Sequence, residues 1–512
     1  MNKNGIKSLG DLISNSAAEY GGKTFIKEYV NGSIAEKTFE GFYDDVRRFA
    51  AYLAGLDLGG RNIHTAVIGA SSSSWLISWF GTVCGGNTAV PLDALLSPDD
   101  IIDLLIRADV NVFCYDARYE KIIPLIKAKC PEIKEYVPFD STFAKKLAAS
   151  EPTVFPAVSP DDLVAIVYTS GTTGKSKGVM LTNGNFIDNA MCQDNESTPE
   201  DTVMSVLPIH HIYCFTCDVL LSLRYGTELC FNDSMLHIPK NLKLFKPTIM
   251  LLVPMIIETL YKQIAAAAKQ AGVPEAAAAQ QVFGGRLKTV YSGGAYLRPE
   301  LQKAYLDMGI SIAQGYGMTE CSPRISTGDT SDTECAGDVG VIVNGCSVKI
   351  EDGEILVKSP SVTKGYYKDE AATAEALTPD GWLRTGDLGW VDDKNRIFIT
   401  GRKKNLIILS NGENISPEEL ENKFAGCEFI SEVLVYSEDS VITAEVYPNP
   451  EFAKTVTAEQ LETMICDAAD GINSEVIPSK AIRRIRVRDA EFDKTTSKKI
   501  VRKQSSQGRR IR

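Results

Sequence analysis

At 512 residues, 44% hydrophobic and 23% charged, the chain has room for at least two packed domains and lacks the composition of a disordered, fibrous or membrane-spanning protein. A formal net charge of −12 excludes a general nucleic-acid binder, and any polyanionic substrate must then be met by locally concentrated cations. Twelve irregularly spaced cysteines, behind an N-terminus (MNKNGIKSLGDLI) without an apolar signal core, read as reduced thiols of a cytoplasmic protein.

The first 150 residues alternate two textures. TAVIGA (65–70), TAVPLD (88–93) and VNVFCYD (110–116) are predicted buried strands, whereas SSWLISWFGTVCGG (73–86) and SPDDIIDLLIRA (97–108) are predicted helices. Ser97, with Pro98 at the first helical position and Asp100 three residues on, predicts an N-cap. Strands alternating with helices imply parallel sheet in an α/β fold. The proline-rich EPTVFPAVSPDD (151–162) is a connector leading into IVYTSGTTGKSKGVMLT (166–182). That stretch is not a Walker A loop, because Thr169 stands where the first glycine is required. It is nevertheless suited to oxyanions: Thr169, Ser170, Gly171, Thr172, Thr173 and Gly174 combine small side chains, four hydroxyls and glycine freedom, and Lys175 and Lys177 add charge.

HHIYCFTC (210–217) carries Cys214-x-x-Cys217 beside two histidines, but no second such pair exists in the chain, so zinc is not expected. TIMLLVPMII (248–257) is too short to cross a membrane and reads as strand and turn; contact with a membrane surface stays open. QIAAAAKQAGVPEAAAAQQ (263–281) predicts two helices broken near Gly272-Val273-Pro274. Near residue 400 the texture changes. GRKKNLIILSNGENISPEELENKF (401–424) passes from a basic turn through a strand to a helix opened by Ser416, and from Ser479 onward thirteen Lys/Arg stand against three Asp/Glu. The predicted organisation is a large α/β domain over 1–401 and a small α+β domain over 402–512.

The phosphate-type loop is followed, in order, by YSGGAYL (291–297), QGYGMTE (314–320), WLRTGDLG (382–389), GRKKNLIILSNGENISPEELE (401–421) and KTTSKKI (494–500). Together these resemble the adenylate-forming superfamily, which includes acyl-CoA synthetases, adenylation domains of peptide synthetases and beetle luciferases. The resemblance spans essentially the whole chain, and LPIHHIYCFTC with GYGMTECSPRIS is most similar to bacterial long- and medium-chain fatty acyl-CoA synthetases. It implies a large α/β domain with a mobile C-terminal domain, and ATP, Mg²⁺ and CoA as partners of a carboxylic acid in a two-step ligation. A carrier protein in place of CoA is the alternative acceptor, and a catalytically inactive nucleotide-binding regulator is the reading from another class.

The resemblance also implies roles. Thr169 to Lys177 would wrap the β- and γ-phosphates; Gly294 and Ala295 would flank adenine; Tyr316, with Gly317, would cover it. Thr319 would meet the α-phosphate and Glu320 the Mg²⁺ ion. Asp387 would accept the ribose hydroxyls with Arg402 beside it, Lys404 would be the hinge, and Asn411 and Gly412 would face the CoA tunnel. Lys499 would be the catalytic lysine of adenylation, although Lys498 stands where glycine is common. His211 would gate the acyl carboxylate, with His210 the less fitting neighbour, and Tyr213 and Arg324 would line the acyl pocket. Relatives carry a small or apolar residue at the position of Arg324. A buried guanidinium needs an anion, so Arg324 either pairs with a protein carboxylate or faces solvent, which is the default, or it selects a substrate with a second carboxylate.

Overall fold

Five parallel strands and one antiparallel strand build the first sheet, in the spatial order Glu135–Pro138, Val112–Tyr115, His64–Ile68, Thr88–Leu92, Leu163–Thr169 and Lys177–Thr182. The strands predicted from TAVIGA, TAVPLD and VNVFCYD are its centre, and their near-complete burial follows from helices packing on both faces. Ser97 caps the helix Pro98–Arg107 as its spacing predicts, its hydroxyl accepting the Asp100 N–H. This computed structural model describes residues 5–30, 32–58, 62–169, 176–192, 196–408, 414–439, 441–494, 500–502 and 507–512.

The second sheet has nine strands, in the order Val341–Ile342, Arg324–Thr327, Ser311–Gly317, Thr289–Ser292, Ile249–Leu252, Thr202–Ser205, Glu228–Phe231, Thr24–Val30 and Ser33–Thr38. From Ser311–Gly317 to Thr24–Val30 the pairing is parallel, and antiparallel strands close both edges. Parallel strands bring their carboxyl ends to one side, the usual place for a ligand in α/β sheets. Here those ends carry Ser292-Gly293-Gly294 and Tyr316-Gly317 on neighbouring strands. The apolar stretch 248–257 divides into the strand Ile249–Leu252 and the start of the helix Pro254–Ala271; Gly272, at φ +65°, ends that helix before Glu275–Val282 begins. An aromatic cluster of Trp75, Trp79, Phe80, Phe186 and Phe215 lies in the largest core, with the Trp79 and Phe215 rings 4.2 Å apart.

The chain divides into two compact units, Met1–Lys349 with Leu356–Arg384 and Asp393–Ile397, and Ile350–Ile355 with Thr385–Asp392 and Phe398–Arg512. In the second, Ile430–Glu438, Val441–Pro448, Arg484–Val487 and Arg509–Arg510 form a four-stranded sheet. The helices Pro417–Phe424 and Ala458–Glu475 bury Leu420, Phe424, Ile465 and Ala469 in its core. Ser416 stands at the N-cap position of Pro417–Phe424 but makes no capping bond; its hydroxyl donates instead to Glu418 Oε2 at 3.0 Å. None of the twelve cysteines is exposed, and burial pushes the thiols of Cys84, Cys114, Cys214, Cys230 and Cys321 well above their ordinary range. No helix among the described residues is long and apolar enough to cross a membrane.

Candidate active site

The strands Leu163–Thr169 and Lys177–Thr182 pair antiparallel from Leu163 opposite Thr182 to Thr169 opposite Lys177, with one register shift between Leu163 and Ala165. The phosphate-type loop is therefore the connection of a hairpin with both ends fixed in the sheet. Thr169 and Lys177 are described; Ser170, Gly171, Thr172, Thr173, Gly174 and Lys175 lie outside the described residues. The Lys177 ammonium sits 5.0 Å from the centre of the Tyr366 ring. The Tyr366 hydroxyl in turn donates to Glu320 Oε1 at 2.8 Å. Glu320 is 8% exposed, and its backbone carbonyl accepts the Thr363 N–H at 2.8 Å. Burial, reinforced by the Glu320 charge, pushes the Tyr366 phenol far above its ordinary pKa, so it stays a donor. No described hydrogen bond reaches Glu320 Oε2, which leaves one oxygen of a fixed carboxylate for another ligand.

The Tyr316–Glu320 motif leaves the strand Ser311–Gly317 through a close backbone contact. A Cβ at Gly317 would lie 2.0 Å from the Pro323 carbonyl oxygen, and the Met318 N–H donates to that same oxygen at 3.0 Å. Only glycine lets the motif fold back on residues 323–324, which explains the second glycine of GYGMTE. Thr319 opens a 3₁₀ turn, Thr319–Cys321, that turns Glu320 inward. Gly317→Ala is expected to lower folding stability by about 2–3 kcal/mol through overpacking, read as a lower urea midpoint, and to weaken ATP binding together with it. An unchanged midpoint would show that the loop relaxes freely.

Tyr316 is buried, at 8% exposure. On the adjoining strand, Gly294 has φ +83° and is exposed with Ala295. Gly293 is packed under Tyr213, whose ring would lie 2.7 Å from a Cβ placed there. Tyr213 belongs to the helical segment 212–225, which contains a π-helical turn at Phe215–Leu220. The structure thus brings Tyr213 to the Gly293-Gly294 backbone. His211 stands at the N-cap position of the same segment, makes no side-chain capping bond and is exposed.

His210 is the more sheltered member of the pair, 11% exposed, its ring 4.4 Å from that of His211 and its buried Nε2, without a hydrogen-bond partner, 3.7 Å from Asp93 Oδ1. Burial first, then the neighbouring His211, pushes its pKa down to about 3, outweighing Asp93, so it is neutral. Below the ordinary imidazole pKa of about 6.5 the unfolded chain takes up a proton that the folded chain refuses. The stability His210 allows is full above that pH and is lost progressively as pH falls toward about 3. His210→Phe is expected to flatten the fall in urea midpoint between pH 6.5 and 4.5; an unchanged slope would place the titration elsewhere.

In the second unit, Asp387 is almost fully buried and pairs with Arg402, Nε to Oδ1 at 2.8 Å. Its backbone N–H donates to Thr385 Oγ1, whose hydroxyl donates to the Ile355 carbonyl. Beside it, Lys403 pairs with the buried Glu354 at 2.7 Å. Lys404 follows in the 3₁₀ turn Lys403–Asn405. Asn411, Gly412 and Lys499 lie outside the described residues. The residues on either side of 495–499 are anchored. Lys494 bridges to Ile500 and pairs with Glu432 and Glu491, and Arg502 pairs with Glu418 at 3.3 Å and with Glu421.

Arg324 is 9% exposed and forms no ion pair with a carboxylate among the described residues. Its Nη2 donates to the Asn189 carbonyl, and its Nε has no acceptor. Tyr366 was not recognisable as a site residue, since it stands 46 positions from Glu320 and only the fold joins them.

A buried carboxylate is thus fixed by a phenol whose ring carries a lysine ammonium, and a buried tyrosine stands four residues before it. A match to the AMP-binding enzyme family covers residues 13–367, and the chain belongs to that family. Among curated relatives, long chain acyl-CoA synthetase 7, peroxisomal, of Arabidopsis thaliana is 30% identical over 75% of this chain and 65% of its own length. The chain thus spans just under two thirds of that relative. 4-Coumarate–CoA ligase 1 of the same plant is 28% identical over 97% of this chain and 91% of its own. The fold is that of o-succinylbenzoate coenzyme A synthetase from Bacillus subtilis, solved with AMP, at a TM-score of 0.79 and 23% identity, covering 98% of each chain.

Proposed function

We propose that the protein is an AMP-forming acid–thiol ligase that activates a carboxylic acid of the fatty class and passes the acyl group to CoA. The observation that carries the reading is the buried Glu320 carboxylate, held by Tyr366 next to Lys177 just beyond the strand Ser311–Gly317. The relatives' names support the same chemistry. In the first step a carboxylate oxygen of the acid attacks the α-phosphorus of ATP and the bond to the bridging oxygen breaks, releasing pyrophosphate. In the second, the CoA sulfur attacks the acyl carbon, AMP leaves with the bonding pair, and the thiol proton is released.

The residues have separable tasks. The loop from Thr169 to Lys177 holds the β- and γ-phosphates; Tyr316 and the Gly294-Ala295 backbone hold the base; Thr319 meets the α-phosphate. Glu320 Oε2 fits a Mg²⁺ ion, a hard cation that takes carboxylate and phosphate oxygens and neutralises phosphate charge when bound. Asp387 and Arg402 orient the ribose hydroxyls, His211 stands at the acyl carboxylate, and Lys499 stabilises charge between carboxylate and α-phosphate. The domain over 402–512 turns about Lys404 between the steps, exchanging Lys499 for the Asn411-Gly412 segment at the thiol. A cytoplasmic, reducing setting suits twelve cysteines that form no disulfide among the described residues.

Pyrophosphate release measured over a library of carboxylic acids, with and without CoA, tests this reading. Acid-dependent release and CoA-dependent thioester formation are expected. Release without thioester until a carrier protein replaces CoA would change the acceptor, and no acid-dependent release with any acid would overturn the ligase.

A further inference from the structure

We propose that the turn Met235–His237 and the helix after it form a docking surface for an anionic lipid bilayer, two apolar side chains entering the headgroup layer beside lysines that meet the lipid phosphates. The inference stands apart from the acid-activation reading, since it uses no residue of that site.

The helix Ile238–Phe245 buries Ile238, Asn241, Leu242 and Phe245. Helical spacing then puts Lys240 and Lys243 on its outward face, where both are exposed. Ahead of it the 3₁₀ turn Met235–His237 buries no side chain: Leu236 is 89% exposed and Met235 54%. The turn is held in that shape. His237 Nδ1 lies 2.8 Å from Asp233 Oδ2, the Asn241 amide donates to Asn232 Oδ1 at 2.8 Å and to Asp233 Oδ1 at 2.7 Å, and Ser234 Oγ accepts the Leu236 N–H at 3.3 Å. The leucine projects from a backbone fixed beneath it. The edge hairpin Thr24–Thr38 adjoins this face. Lys240 Nζ lies 4.0 Å from the centre of the Tyr29 ring, and Tyr29 pairs across the hairpin with the exposed Ile34.

A single exposed leucine is ordinary on a protein surface; the charge around this one selects its partner. From Asn232 to Pro247 the chain carries Lys240, Lys243 and Lys246 and one carboxylate, Asp233, which His237 and Asn241 engage within the turn. None of the three lysines pairs with a carboxylate among the described residues. In a chain of net charge −12 this is a local excess of cations, complementary to anionic headgroups and opposite to the rest of the molecule. Lysine stems lie along apolar surface while their ammonium groups stay in the wet layer, and tyrosine rings sit at the same level. A protein partner would need a hollow shaped to the tip and carboxylates placed opposite the lysines. A fluid bilayer closes around a projecting side chain without either.

The test sediments the full chain with vesicles of phosphatidylcholine alone, and of phosphatidylcholine and phosphatidylglycerol in equal parts, at low and high salt. Partitioning onto the anionic vesicles, weakened by salt, is expected. Replacing the three lysines together (Lys240→Gln, Lys243→Gln, Lys246→Gln) should weaken it by on the order of 10²-fold, and Leu236→Ser by on the order of 10-fold. A second triple variant (Lys121→Gln, Lys145→Gln, Lys269→Gln) removes the same charge from other exposed positions of the same unit and should leave partitioning unchanged. An environment-sensitive dye on Leu236→Cys should brighten on the anionic vesicles as it leaves water. No partitioning of the wild type, equal losses in the two triple variants, or a dye that stays dim on bound protein would each overturn the assignment. Leu236→Ser and Leu236→Cys alter a side chain that is almost wholly in solvent, so they report on docking even where a lysine variant folds poorly. None of these measurements involves ATP or an acid, so their failure would leave the ligase reading standing.

Discussion

Lys499→Ala is expected to lose acid-dependent pyrophosphate release by on the order of 10²–10³-fold, the usual cost of removing a charge aimed at a transition-state oxyanion. The same variant should still convert supplied acyl-adenylate and CoA to thioester at close to the wild-type rate, because the second step breaks a carbon–oxygen bond and makes no new demand on the α-phosphate. The split between half-reactions is the informative result. Equal damage to both would mean that Lys499 holds the second unit together. Lys498→Ala supplies the control, since the anchoring of Lys494 to Glu432 and of Arg502 to Glu418 and Glu421 remains in either variant. If Lys498→Ala is the one that loses the first step, the catalytic assignment moves by one residue.

Glu320→Gln is expected to reduce carboxylate-dependent exchange of pyrophosphate into ATP by a similar factor and to raise the Mg²⁺ concentration needed for half-maximal exchange. The amide keeps an oxygen to accept from Tyr366, so the 2.8 Å contact and the local fold are retained while the charge is removed. Exchange and Mg²⁺ dependence both unchanged would reduce Glu320 to a structural acceptor for Tyr366. Tyr366→Phe complements it: the carboxylate loses its fixed donor but keeps its charge, so a smaller loss is expected.

Local order was legible in the sequence wherever short-range chemistry decides. The apolar runs at 65–70, 88–93 and 110–116 became central strands because nothing but a doubly covered sheet buries them. The break at Gly272 was readable because only glycine adopts that backbone cheaply. Ser416 shows where the rule weakens, since an acidic side chain two residues on offered its hydroxyl a competing acceptor. The site was legible as motifs and illegible as contacts. Nothing along the chain joins Tyr366 to Glu320 or sets Arg324 against Asn189, because such pairings exist only once strands from distant segments lie side by side. Burial was equally out of reach for His210 and His211, adjacent residues of identical type that the turn into a helix sends to opposite environments.

The sheltered sulfurs make the protein ready for spectroscopy without a serine-substituted background. One thiol introduced by Glu300→Cys and another by Glu459→Cys, both at exposed helical positions of different units, would outcompete the native set for maleimide dyes at neutral pH. Energy transfer between such a pair could then follow the two halves of a single turnover in real time.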